Sequence, residues 1–105
     1  MDRPADPVDE LPDAVVEAFD HGMHAFIQRE YAEAAASFET ALAGRERFDD
    51  AQYMLALAKL RLGEPDEAKV LLAEVAAKSE NVMLRDYAAS KLNRLASPSA
   101  QSSAD

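Results

Sequence analysis

Glu30-Tyr31-Ala32-Glu33-Ala34-Ala35-Ala36-Ser37-Phe38 and Glu64-Pro65-Asp66-Glu67-Ala68-Lys69-Val70-Leu71-Leu72 are two copies of one pattern. They share Glu-x-x-Glu-Ala, followed four positions on by a large apolar side chain. Each stretch opens a segment whose apolar residues recur at spacings of three and four, the period of an amphipathic helix. Each also follows a short break, Arg29-Glu30 or Gly63-Glu64. Connections that short make consecutive helices pack antiparallel as hairpins.

On either side of these turns, the sequence predicts five helices. The first covers about 13–28, with Val15, Val16, Phe19, Met23, Phe26 and Ile27 on one stripe. The second covers about 31–43. The third, about 49–62, has Asp49 or Asp50 as its expected cap and Gly63 as its stop. The fourth covers about 65–78, with Pro65 at a first helical position, where a missing N–H costs nothing. The fifth covers about 80–96, with Ser79 as its expected cap and Pro98 beyond its end. No stretch alternates apolar and polar residues with β-branched enrichment, so no strand is predicted.

Sliding the chain so that Glu30 falls on Glu64 superimposes these helices. Under that shift Glu33, Ala34, Ala43 and Glu46 meet Glu67, Ala68, Ala77 and Glu80, and Phe19, Met23, Phe26 and Phe38 meet Tyr53, Leu57, Leu60 and Leu72. A second, equal shift carries Tyr53 onto Tyr87. A helix–turn–helix unit repeated at this period is characteristic of tandem helical arrays. The segment Gly22…Tyr31-Ala32-Glu33-Ala34-x-x-x-Phe38-x-x-Ala41-Leu42, with its second copy Leu55…Gly63-x-x-Asp66-Glu67-Ala68-x-x-x-Leu72, resembles the tetratricopeptide repeat (TPR). The resemblance departs at Ala18 and Gln52, where the family often has Trp, at His21, where it has Leu, and at Glu46 and Glu80, where it has Pro.

The resemblance implies an all-α fold, a right-handed superhelical array of antiparallel helix hairpins. Repeat one falls at about 15–48, repeat two at about 49–82, and a capping helix at about 80–96, together a domain over 13–96. It also implies a concave groove lined by Phe19, Met23 and Phe26, then Tyr53, Leu57 and Leu60, then Tyr87, Lys91 and Arg94. Phe19, Tyr53 and Tyr87 form an expected aromatic column, while Phe26, Leu57 and Leu60 are expected mainly to pack. Some TPR proteins clamp acidic chaperone tails with Lys, Arg and Asn. The matching places here are Phe19, Met23, Met54, Leu84 and Ala88, which disfavours such a clamp. An apolar groove suits an amphipathic helix or an extended apolar peptide.

Composition narrows the function classes. The 105 residues are 49% hydrophobic and 30% charged, within the range of one soluble globular domain. The absence of Cys excludes disulfides and thiol chemistry. The net charge of -9 opposes attraction to phosphate backbones, so no nucleic-acid partner is expected. No apolar run is long enough to insert in a membrane. The start of the chain does not resemble a secretion signal, and a cytoplasmic location is expected. Residues 1–12 read as an acidic, Pro-rich tail and 97–105 as a disordered polar one.

No phosphate-binding loop or nucleophile motif occurs. His21 and His24, with Glu17 a turn earlier, have a spacing compatible with a metal but lack a full ligand set. No metal, cofactor or catalytic residue is therefore expected. The reading is a non-catalytic protein-interaction module, an adaptor or scaffold, with another protein's peptide or helix as partner. Its rival is self-assembly into a homodimer or larger homo-oligomer through the same apolar face. Val8 and Leu11 of the N-terminal tail are a third candidate for covering the groove.

Overall fold

The computed structural model describes residues 12–44 and 48–96. The two tails, including Val8 and Leu11, and the connection Arg45-Glu46-Arg47 lie outside the described residues. Among the described residues five helices follow one another: α1 (Asp13–Ile27), α2 (Tyr31–Gly44), α3 (Asp49–Arg61), α4 (Pro65–Lys78) and α5 (Val82–Ala96). Each packs against the next, and α1 with α3 and α3 with α5 are also in contact. The odd-numbered helices thus approach one another along one side, while α2 and α4 stand apart on the other. This makes the α1–α3–α5 side the concave one.

The two hairpin turns are the same turn. Arg29 N–H donates to Phe26 C=O at 2.9 Å and Glu30 N–H to Ala25 C=O at 2.9 Å. In the second hairpin, Gly63 N–H donates to Leu60 C=O at 3.1 Å and Glu64 N–H to Lys59 C=O at 2.9 Å. These bonds satisfy carbonyls that a helix end leaves without partners. Each following helix then starts on the glutamate carbonyl, with Ala34 N–H donating to Glu30 and Ala68 N–H to Glu64. The second glutamate of each motif reaches back across its own hairpin. Glu33 bonds His21 at 2.6 Å, and Glu67 pairs with Lys59 at 2.9 Å. The alanine that follows, Ala34 or Ala68, is fully buried, which lets the paired helices approach closely.

Two helix starts differ from the sequence expectation. Phe48, not Asp49 or Asp50, holds the cap position of α3, without a side-chain cap bond. The two aspartates stand inside the first turn, where they complement the positive end of the helix dipole. α5 begins at Val82 rather than 80, because Asn81 is its cap. The Asn81 Oδ1 accepts from Met83 N–H at 3.0 Å and Leu84 N–H at 3.2 Å. Ser79 instead turns its hydroxyl inward, accepting from Asn81 N–H at 3.1 Å, and is itself buried.

The core forms between hairpins. Phe38 of α2 is fully buried among Ala25 of α1 and Leu55 and Ala58 of α3. Leu72 of α4 is fully buried with Ala56 of α3 and Ala88 of α5. Gly22 makes room for the first of these: a Cβ there would fall 2.6 Å from the Phe38 ring. Burying Phe38 rather than leaving it exposed contributes about 1.5–3 kcal/mol.

Hairpin two carries two polar ties. Gln52, at the place where the family often has Trp, donates to Leu71 C=O at 3.2 Å and to Glu74 Oε1 at 2.7 Å. Lys59 meets three carboxylates: Glu67 at 2.9 Å and Glu64 at 3.2 Å in its own hairpin, and Glu39 of α2 at 3.7 Å. Hydrogen bonds from its ammonium to Glu67 and Glu64 hold its pKa above the ordinary value, against the opposing effect of burial.

Candidate functional site

A cleft of about 380 Å³ opens on the concave side. Phe19 and Met23 of α1 form one wall, and Asp50, Tyr53 and Met54 of α3 form the floor. Asn81 at the head of α5, with Met83, Leu84 and Tyr87 on the helix, forms the other wall. The cleft exists because three consecutive concave helices each turn apolar residues toward the same hollow, and among the described residues α5 packs against α3 and α4 alone.

Phe19 serves the core as well as the cleft. Its ring lies 5.7 Å from that of Phe38 and 5.0 Å from that of Phe48. Tyr53 and Tyr87 pair separately, with ring centroids 6.4 Å apart. The expected aromatic column is therefore a tyrosine pair beside a phenylalanine cluster. The Tyr53 phenol has a raised pKa, chiefly from burial and then from the neighbouring Tyr87, while Arg94 acts in the opposite direction. Its hydroxyl stays protonated at neutral pH and remains available as a donor. Tyr87 and Met83 are well exposed, at 50% and 61%, and so present apolar surface directly to an incoming group.

The remaining groove candidates lie off the cleft. Phe26 is half-buried against the first core and edge-on to Tyr31 at 5.1 Å. Leu60 packs against the second core. Leu57 and Lys91 are half-buried, and Arg94 is exposed toward the far end of α5; none of the three lines the cleft. Arg61, at the end of α3, stacks over the Tyr31 ring at 5.5 Å.

Asp50, Asn81 and Met83 were not foreseen as cleft residues. Met23 meets Leu57 when the two repeats are overlaid, but Met83 meets Asp49, so a shift comparison passes over it. The presence of one methionine on each concave helix, Met23, Met54 and Met83, is the signal that points to it.

Among the described residues, the cleft lining holds one carboxylate, Asp50, and no Lys or Arg. This arrangement is suited to covering apolar side chains and is not suited to gripping an acidic tail. A second hollow, of about 310 Å³, lies between Glu39, Leu55, Lys59, Glu67, Val70 and Leu71, and there Lys59 engages both carboxylates. His21 is engaged by Glu33, and His24 contacts Gln28 at 2.7 Å. Among the described residues, no three metal-ligating side chains come together. Among the same residues, no helix is long and apolar enough to cross a membrane.

No curated protein and no solved structure matches the chain. A family model, described as tetratricopeptide repeat, matches residues 25–91, from within α1 into α5. That span is more than half of the sequence, and the chain belongs to the tetratricopeptide repeat family, whose members generally mediate protein–protein interactions.

Proposed function

We propose that this chain is a non-catalytic adaptor or scaffold whose concave cleft takes the apolar face of an amphipathic helix from another protein. The supporting observation is the cleft wall itself. Met83 and Tyr87 leave half or more of their surface in water, next to half-buried Phe19, Met23, Tyr53 and Met54. Contiguous exposed apolar surface in a hollow commonly marks an interaction site. Asp50, exposed in the cleft lining, complements a basic residue on the polar side of such a helix, and the net charge of -9 favours a cationic partner.

The test uses a fluorescently labelled synthetic helix of leucines and lysines and follows its anisotropy. Tyr87→Ala should weaken binding by about tenfold or more, as removal of an aromatic anchor does. Val70→Ala, in the other hollow, should leave it unchanged. Equal binding by the wild-type chain and Tyr87→Ala would contradict the proposal. Light scattering on the same proteins addresses the rival reading: a dimer that Tyr87→Ala dissociates would assign the face to self-assembly.

A further inference from the structure

The chain has four methionines and no cysteine, and the three methionines among the described residues all line the concave cleft. Met23 comes from α1, Met54 from α3 and Met83 from α5. These thioethers are therefore the chain's internal sulfur chemistry, gathered at the surface where apolar character matters most. Their access to solvent differs. Met23 and Met54 are half-buried and pack against the Phe38 core, whereas Met83 is 61% exposed. Of these three, Met83 is the most open to a solvent-borne oxidant.

We propose that Met83 is a reversible sulfoxidation site whose oxidation state sets the affinity of the cleft for an apolar helix; the inference rests on the cleft reading above. In the forward step, the sulfur lone pair attacks one oxygen of hydrogen peroxide. An S–O bond forms, the O–O bond breaks, and the departing oxygen leaves as water once it has taken up the proton of the transferred oxygen. Sulfur is oxidised by two electrons and the peroxide is reduced by two. In the reverse step, a dithiol-dependent sulfoxide reductase removes the oxygen as water while the dithiol becomes a disulfide.

The consequence follows from polarity. Met is a flexible apolar side chain that adapts to varied partners, and its sulfoxide is polar and sterically defined. Beside Leu84 and the tyrosine rings, the new S–O dipole loses its water when a helix docks and gains little in return. An unpaired polar group buried at an interface weakens binding by about tenfold or more.

The experiment exposes the full chain to dilute hydrogen peroxide, maps sulfoxides by peptide mass spectrometry, and titrates the labelled leucine–lysine helix before and after. The expected result is Met83 oxidised ahead of Met23 and Met54, affinity reduced at least about tenfold, and recovery after sulfoxide reductase with dithiothreitol. The Met83→Leu chain, whatever its own affinity, should bind equally before and after the treatment. A reduced chain that binds while the Met83-sulfoxide chain binds as tightly overturns the inference alone. So does earlier oxidation of Met23 or Met54. A reduced chain that does not bind the helix at all overturns the cleft reading, and this inference falls with it.

Discussion

Arg29 and Gly63, at equivalent places in the two hairpins, both have a left-handed backbone, with φ of 67° and 80°. They close the same turn, yet only one of them is glycine. An L side chain is strained in this region, whereas glycine adopts it freely. Arg29→Gly should therefore stabilise the fold by about 0.5–1 kcal/mol. Gly63→Ala should cost about 1 kcal/mol through the backbone alone, since a Cβ there meets nothing within 4 Å. Chemical denaturation of the two variants checks both signs.

Phe38 joins the two hairpins, and its ring occupies the space that Gly22 leaves open. Phe38→Ala should destabilise by about 3–5 kcal/mol, as a truncated buried aromatic does. In a chain this small, that is a large part of the total stability. Thermal unfolding by circular dichroism should show a much lowered midpoint or no cooperative transition, whereas an unchanged midpoint would remove Phe38 from the core.

Much of this was legible in the sequence, for physical reasons. The turns were readable because Gly63 and the repeated Glu-x-x-Glu-Ala mark where one helix must end and the next begin. Phe38 and Leu72 were readable as core because a large side chain follows small ones on one helical face. The cleft was less so. Periodicity assigns a residue to a helix face but does not fix how far along the helix the hollow extends. Phe26, Leu57, Lys91 and Arg94 share the faces of Phe19, Met23, Tyr53 and Tyr87 yet lie off the cleft. Phe48, which holds the Phe19 ring, sits just ahead of α3, where no helical period announces it.

Asn81 supplies the cap of α5 and also stands at the mouth of the cleft. Asn81→Ala should cost about 1 kcal/mol, and Asn81→Asp should be nearly neutral because a carboxylate caps as well. Urea unfolding should separate the two variants. Equal loss in both would mean that the Asn81 side chain acts through something other than the cap.

Lys59, 16% exposed, ties α3 to α4 and to α2 through three glutamates. Lys59→Met keeps the packed stem but leaves those carboxylates facing one another. It should destabilise by about 1 kcal/mol, and molar salt should shrink the difference. The folded-state pKa of Lys59 is raised above its ordinary value of 10.5. Its contribution is thus complete below the unfolded value and is lost only as pH rises through the folded one. The gap between Lys59→Met and the wild-type chain should be the same at neutral and mildly alkaline pH. A gap that closed on the way to mildly alkaline pH would contradict the raised value.

The proposed binding surface is tested without any substitution by methyl NMR of the full chain, with labelled methionine, isoleucine and valine, titrated with the leucine–lysine helix. The methyl resonances of Met23, Met54 and Met83 should move together and saturably, while those of Ile27 and Val70, exposed away from the cleft, stay in place. Movement at Ile27 or Val70 with the three methionines unchanged would put the interaction elsewhere on the molecule and refute the cleft as the binding surface.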